Sequence, residues 1–150
     1  MNQTDILELR SKVQKFIRLF GLLEQTVTPC GFKLSPSQVF ALQELEDNTL
    51  TIGDLADKLL LERSSVSRLV DALVKGGFVN RSLNEENRRE VLLSLTEKGM
   101  RSVQQVKERS IEYYRSILNE VSEVEQQQIL CGFNLFTNAL SKKGSNTNEL

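Results

Sequence analysis

TIGDLADKLLLERSSVSRLVDALVKGGFVNRSLNEENRREVLLSLTEKG, residues 51 to 99, has the pattern of two helices joined by a tight turn and followed by a β-hairpin. Thr51 and Asp54 have the spacing of a capping box, with aspartate in place of the usual glutamate, so a helix is predicted to begin after Thr51. A second helix is predicted from about Arg63 to Lys75, because apolar side chains recur at helical spacing along it. The predicted buried face of the first of these helices comprises Ile52, Leu55, Ala56, Leu59 and Leu60.

The second helix has a small and basic face opposite its apolar side chains. That face comprises Ser64, Ser67, Arg68, Asp71 and Lys75. A helix that enters the major groove places its base-reading residues near its N-terminus, and short serine side chains let the backbone approach the DNA closely. Gly76 and Gly77 supply the left-handed cap that ends the helix. We therefore predict that it is a recognition helix.

A β-hairpin is predicted directly after the recognition helix. Residues 78 to 83 and 90 to 95 have strand patterns, and residues 84 to 87 supply turn-forming side chains between them. Arg88 and Arg89 come where the hairpin folds back. Arginine favours the narrow and negative minor groove, so the hairpin is predicted to be a wing that reaches a minor groove beside the recognition helix.

Charge is distributed unevenly along the chain. Residues 63 to 89 contain six basic and three acidic side chains, whereas all 150 residues together have a formal net charge of −1. Affinity for nucleic acid depends on the phosphates that are neutralised locally, so this basic segment indicates a surface that contacts phosphate. The length suits one domain or two small lobes that share a core, and a hydrophobic content of 39% is sufficient to form one.

The composition argues against catalysis, metal binding and membrane insertion. The chain contains no histidine, the commonest general base and metal ligand, and it has no GxSxG, P-loop or GxGxxG motif. Cys30 and Cys131 do not have the spacing of metal ligands. No apolar run approaches the roughly 20 residues of a membrane span, and no signal peptide is recognisable. The sequence thus predicts a cytoplasmic binding protein that has no cofactor and no metal and is not an enzyme.

Helical patterns precede the central segment. Apolar residues spaced by three and four positions run from Ile6 to Leu23 and predict a long first helix with a narrow apolar stripe. Ser35 and Pro36 predict the start of another helix, which ends near Leu45.

Further helical patterns follow the hairpin. Thr96 is the predicted cap of a long helix, and its apolar seam covers residues 111 to 121. Ser122 and Glu125 form a capping box that starts the last helix, where apolar residues recur from 129 to 140. Such helices would leave much apolar surface uncovered in a monomer, so a two-fold dimer joined through the terminal helices is predicted.

These patterns divide the chain into three parts. Residues 1 to 33 and 97 to 141 are the predicted dimerisation helices, and residues 34 to 96 are the predicted DNA-binding module. Residues 142 to 150 are polar and lack periodicity, so they are predicted to form a disordered tail.

A family resemblance is carried by the order of elements and by two stretches, LADKLLLERSSVSRLVDALVKGGFVNR and NRREVLLSLTEKG. Together they resemble the MarR family of bacterial winged helix-turn-helix regulators. The resemblance covers nearly the whole chain, and the wing followed by L-T-x-K-G is its most specific part. It implies a mainly α-helical fold with a small β-hairpin wing and with N- and C-terminal dimerisation helices. It further implies a triangular homodimer in which each subunit presents one winged module to a half-site of a pseudo-palindromic operator in double-stranded DNA.

Carried over from the family, the DNA-binding positions fall on the recognition helix and on the wing. The family usually has aspartate where this chain has Asn87, paired with the arginine two residues on, so the resemblance implies a hydrogen bond from Arg89 to the neutral side chain of Asn87. Arg89 is the expected minor-groove residue, and Arg88 and Arg81 are expected backbone contacts. The start of the recognition helix matches Arg63, Ser64, Ser65, Ser67 and Arg68.

The resemblance also implies a small aromatic or drug-like effector. Our hypothesis is a repressor that occludes a promoter and is relieved by that effector, with an activator as the open alternative. No residue identifies that ligand or its site. Two alternatives stay open: a regulator that senses oxidation through Cys30, and a winged-helix module that contacts protein instead of DNA. Catalysis by Cys30 as a nucleophile is a more distant reading, since no histidine is present to assist it. Cys131, among apolar neighbours in sequence, is predicted to be a packed small hydrophobic residue.

Overall fold

The computed structural model describes residues 1–23, 27–29 and 31–147 of the chain. Within them the order of elements is α1 (Gln3–Leu19), α2 (Pro36–Glu44), β1 (Leu50–Thr51), α3 (Ile52–Leu59), α4 (Arg63–Lys75), β2 (Val79–Leu83), β3 (Val91–Leu95), α5 (Glu97–Leu118) and α6 (Glu123–Thr147). The predicted fold class, mainly α-helical with a small β-hairpin, is confirmed.

Helices α2, α3 and α4 pack with a small antiparallel sheet around one core. Strand β3 lies in the middle of the sheet, with β2 on one side and β1 on the other. In the hairpin, Val79 pairs with Leu95 and Leu83 with Val91. Side chains from all three helices and from β3 are almost fully buried in this core: Leu42, Leu55, Val66, Val70, Leu73 and Leu93.

Four helix starts have the caps that the sequence predicts, and one of them is Thr96, whose hydroxyl accepts the backbone N–H of Gly99 at the start of α5. Ser35 caps α2, with Pro36 as the first helical residue, and Thr51 forms the capping box with Asp54. Ser122 exchanges hydrogen bonds with Glu125 at the start of α6. The hydroxyl of Ser122, assisted by its backbone N–H, lowers the pKa of Glu125 because both hydrogen bonds favour the carboxylate.

The turn between α3 and α4 differs from the sequence prediction. Leu60 was predicted on the buried face of α3, but it is 90% exposed. It is the C-cap of α3 and has a left-handed conformation with φ 55°, which turns the chain out of the helix before Leu61. The apolar run of three leucines at 59 to 61 therefore does not continue the buried face.

The bounds of the terminal helices also differ. Helix α1 ends at Leu19, and the chain then reverses at Gly21, whose φ of 75° suits glycine, so the predicted seam to Leu23 runs past the helix. Helix α6 extends to Thr147, whereas residues 142 to 150 were predicted to be disordered. The hydroxyl of Ser141 donates to the carbonyl of Thr137 one turn earlier, so this polar side chain is satisfied without interrupting the helix.

The described chain comprises two compact units, Met1–Ile111 and Glu112–Leu150. The first unit contains the core described above. In the second, α6 exposes its apolar residues, among them Ile129, Phe133 and Leu140. Cys131 on the same helix is exposed as well, so the prediction that it is packed is wrong for this chain taken singly. Cys30, the redox candidate, lies outside the described residues.

Candidate nucleic-acid interface

Helix α4 is oriented by its apolar side chains. Val66, Val70 and Leu73 have no exposed surface, since they pack into the core. Burial of one face forces the opposite face into solvent. The helix has the predicted bounds, Arg63 to Lys75, and Gly77 just after it has the left-handed conformation that ends a helix, with φ 77°.

The structure brings the predicted recognition residues together at the exposed N-terminal end of α4. Arg63, Ser64, Ser65 and Arg68 are exposed, and Ser67 is half-buried. Arg63 and Arg68 form no ion pair with any described residue. Their charges are therefore available to a partner outside the chain.

The Arg63 side chain does not lie along α4. Its guanidinium lies against Gly53, near the start of α3, where a Cβ on residue 53 would be 3.1 Å from Nη2. This contact between two helices was not predicted, because the pattern of the sequence shows only that Arg63 begins α4.

Arg81 is placed differently from the two arginines of α4. It lies on β2 and donates to the carboxylate of Asp71 on α4, forming an ion pair in which the Arg81 side chain is 36% and the Asp71 side chain 59% exposed. The sequence predicts that Arg81 contacts DNA, and nothing in its pattern predicts this pair. Two opposite charges ten residues apart in sequence do not predict an ion pair unless it is known that β2 packs on α4.

The tip of the wing is ordered by hydrogen bonds of its own polar residues. The Asn84 side chain accepts from the backbone of Glu86 and donates to the Glu90 carboxylate. The Asn87 side chain accepts from the backbone N–H of Arg89 at 3.3 Å. The expected hydrogen bond between the charged Arg89 guanidinium and the Asn87 side chain is therefore not formed among the described residues, and the backbone N–H of Arg89 takes its place.

The wing arginines are exposed. Arg88 and Arg89 form no ion pair with the described residues. Arg89 lines a surface cleft of about 410 Å³ between the wing and the start of α3 and α4, and Arg63 and Gly53 lie along the same cleft. Two guanidinium groups that were predicted separately, one on the recognition helix and one on the wing, therefore face one depression.

The C-terminal end of α4 is held by the segment between β3 and α5. The hydroxyl of Thr96 donates to the carbonyl of Gly77 at 2.6 Å, and its backbone N–H donates to the carbonyl of Phe78 at 3.0 Å. Lys98 Nζ donates to the carbonyl of Gly76 at 2.7 Å and lies 4.3 Å from the centre of the Phe78 ring. The bond from Lys98 satisfies the carbonyl of Gly76, the C-cap of α4, and the bonds from Thr96 satisfy the next two carbonyls of the chain.

The described residues also bear on metal binding and on membrane insertion. Across residues 1–23, 27–29 and 31–147, no cluster of three or more His, Cys, Asp or Glu side chains is arranged to hold a metal ion. No helix in the described part of the chain has the length and apolar character to cross a membrane.

Comparisons with known proteins agree with this geometry. A family model described as the MarR family matches residues 34–91. The uncharacterized HTH-type transcriptional regulator YfiV of Bacillus subtilis (strain 168) is 32% identical over 108 residues, which cover 71% of this chain and 68% of YfiV. The structure of a MarR family protein from Bacillus stearothermophilus has a TM-score of 0.78 at 25% identity and covers 94% of this chain and 99% of its own. Streptococcus pneumoniae FabT, solved in complex with DNA, has a TM-score of 0.73 at 20% identity, again over 94% and 99%.

Proposed function

This chain belongs to the MarR family and is a transcriptional regulator with a DNA-binding winged helix, and from that premise we propose that it represses a promoter by binding a pseudo-palindromic operator as a homodimer in the cytoplasm. The observation that carries the proposal is the exposed N-terminal face of α4, where serine hydroxyls lie beside Arg63 and Arg68 and neither arginine has an ion-pair partner among the described residues. A similar fold bound to DNA, that of FabT, gives further support.

The roles of individual residues follow from where they lie. Arg89 on the wing inserts into the minor groove, and Arg88 contacts the backbone. Arg81 also contacts the backbone while it stays bonded to Asp71, because a guanidinium has five N–H donors and the pair leaves some of them unused. The residues at the start of α4 that contact the operator are Arg63, Ser64, Ser65, Ser67 and Arg68.

Dimerisation is supported by the apolar surface of the terminal helices. On α6, Phe133 is 48% and Leu135 67% exposed, and on α1, Leu19 is 74% exposed. A closed two-fold assembly covers such surfaces on both subunits at once. It also places two recognition helices one turn of DNA apart, about 34 to 36 Å, as a palindromic operator requires.

Relief by a small aromatic or drug-like effector completes the proposal. The dimer can adopt a second state in which the spacing of its recognition helices does not fit the operator. An effector that binds this state more tightly than the DNA-binding state lowers the affinity for DNA, at most by the ratio of its affinities for the two states. The proposal rests here on the resemblance to the family, and it leaves oxidation of Cys30 as the alternative trigger.

The test is binding of the purified protein to duplex DNA from upstream of its own coding sequence, measured by fluorescence anisotropy over a series of salt concentrations. A scrambled duplex of equal length is the reference DNA. The wild type is compared with Arg68→Ala and Arg89→Ala, and with Arg101→Ala as a control, since Arg101 is an exposed arginine of α5 paired with Glu97.

We expect preferential binding to the upstream DNA, a steep salt dependence, and losses of about 5- to 100-fold for the variants at positions 68 and 89. The control should bind like the wild type. Equal binding to both duplexes, or wild-type affinity in both test variants, would contradict the proposal and favour a module that contacts protein.

A further inference from the structure

We propose that Gly53 is a positioning residue for DNA binding: it lets the Arg63 guanidinium lie against the start of α3, where that group takes a backbone phosphate and not a base edge. The inference rests on the proposed function, and it assigns Arg63 a role different from that of Arg68. It also gives a role to a glycine that lies outside the recognition helix and the wing.

Glycine is an unfavourable residue at this position of the fold. Gly53 is the second residue of α3, an eight-residue helix, and glycine in a helix is less favourable than alanine. Its φ does not lie in the left-handed region, so the backbone does not require glycine there. What glycine provides at this position is the space that a side chain would fill.

That space is occupied by Arg63. A Cβ on residue 53 would lie 3.1 Å from Nη2, 3.3 Å from Cζ and 3.5 Å from Nε of Arg63. Because these three distances are so similar, the guanidinium plane faces the glycine. A methyl group would push this plane outward by a few tenths of an ångström, and a larger side chain would push it further.

The charge of Arg63 is not neutralised in this position. No carboxylate lies within ion-pair distance among the described residues, although Asp54, Asp57 and Glu90 line the same cleft. Asp54 is bonded to Thr51 in the capping box, and Glu90 accepts from the wing. The Arg63 guanidinium is thus packed against Gly53 but forms no ion pair with the described residues, and this arrangement suits an anionic partner.

The direction of the side chain indicates which part of DNA that partner is. Base-reading side chains project from a recognition helix into the groove, as the exposed Ser64 and Arg68 do in this proposal. Arg63 instead folds back onto the preceding helix and faces the cleft beside the wing. Between a helix in the major groove and a wing in the minor groove runs the sugar-phosphate backbone, so a phosphate is the group expected there.

The experiment measures DNA affinity and thermal stability for Gly53→Ala, Gly53→Leu, Arg63→Ala and the double variant Gly53→Ala/Arg63→Ala. Gly144→Ala is the matched control, because Gly144 also lies in a helix and a Cβ there meets nothing within 4 Å. Both the upstream duplex and its scrambled counterpart are titrated over a salt series. The scrambled duplex separates this inference from the proposed function, since a phosphate contact contributes to both DNAs and a base contact to one.

We expect Gly53→Ala to melt at or above the wild-type temperature and yet to bind both duplexes roughly 3- to 10-fold more weakly, with a larger loss for Gly53→Leu. Arg63→Ala should weaken binding to both duplexes alike. It should also lower the slope of the logarithm of the binding constant against the logarithm of salt concentration by about 0.9 for each subunit. In the Arg63→Ala background, Gly53→Ala should change the affinity less than twofold, because the group that it displaces is gone.

Three results would overturn the inference. The first is unchanged DNA affinity in both Gly53 variants. The second is a loss of DNA affinity on Gly53→Ala that is equally large in the wild-type and in the Arg63→Ala background. The third is an Arg63→Ala loss confined to the upstream duplex, which would make Arg63 a base reader. Absence of any preference for the upstream DNA in the wild type would contradict the proposed operator binding alone, while absence of all DNA binding would contradict both.

Discussion

Replacing Gly99 by alanine should destabilise the winged module although alanine is the better helix former. Gly99 is buried in the first turn of α5. A Cβ on this residue would lie 2.2 Å from the carbonyl oxygen of Phe78 and 3.2 Å from Leu95 Cδ2. The same carbonyl accepts the backbone N–H of Thr96, so it has no freedom to turn away without losing that hydrogen bond.

The magnitude follows from the distance that must be opened. Carbon and carbonyl oxygen approach to about 3.3 Å at the closest, so α5 and the segment at Phe78, between α4 and β2, must separate by about 1 Å. Overpacking of this kind costs about 1 to 3 kcal/mol, and a weakened backbone hydrogen bond adds about 0.5 to 1.5 kcal/mol. The helix propensity of alanine returns at most about 1 kcal/mol. The net loss of unfolding free energy should be about 2 kcal/mol.

Urea denaturation followed by circular dichroism, at one fixed protein concentration, measures this loss directly. Gly144→Ala is the control, because a Cβ there meets nothing within 4 Å and should leave the unfolding free energy unchanged or slightly raised. Wild-type stability in Gly99→Ala would refute the argument, since it would mean that α5 and the segment at Phe78 accommodate a methyl group without cost.

Three further substitutions test separate contacts. Leu60→Gly should raise the unfolding free energy by up to about 1 kcal/mol in urea denaturation, because Leu60 has φ 55° and is exposed; a loss would mean that its side chain stabilises the turn. Lys98→Met should lower it by about 1 kcal/mol, because the bond to the Gly76 carbonyl is lost. It should also weaken DNA binding without changing the salt slope, whereas a reduced slope would show that Lys98 contacts phosphate. Asp71→Ala should strengthen DNA binding in a salt titration, because it removes a negative charge from the DNA-facing side of α4 and breaks only an exposed ion pair worth less than about 1 kcal/mol; weaker binding would show that the pair is needed to position Arg81.

The sequence predicts those parts of the fold that are determined by residues close together in the chain. The bounds of α4 and the caps at Ser35, Thr51 and Ser122 follow from residue spacing and from side chains that bond their own helix start. The hairpin likewise follows from two short strands around a polar turn. Each of these signals lies within a few residues of the structure that it specifies.

Features that depend on packing between elements were missed. Strand β1 has two residues, too few for any periodicity, and it exists because β3 offers it a partner. Leu60 lies in a run of leucines, which conceals the left-handed turn. The contacts of Arg81 with Asp71 and of Arg63 with Gly53 join residues ten positions apart on different elements. No spacing rule for a single helix or strand predicts them.

The most specific part of the family resemblance, L-T-x-K-G, contains none of the residues that the proposal places on DNA. In L-T-x-K-G, Thr96 donates to the carbonyl of Gly77 and Lys98 to that of Gly76, and Gly99 leaves room beside α5 for the carbonyl of Phe78. These requirements are steric and local, so they are the same whatever DNA the protein reads. Other exposed side chains of α4, such as Ser64, Ser65 and Arg68, take no part in these contacts and are free to differ with the operator. The sequence therefore identifies the frame that holds the recognition helix, while the choice of operator depends on side chains that the frame does not constrain.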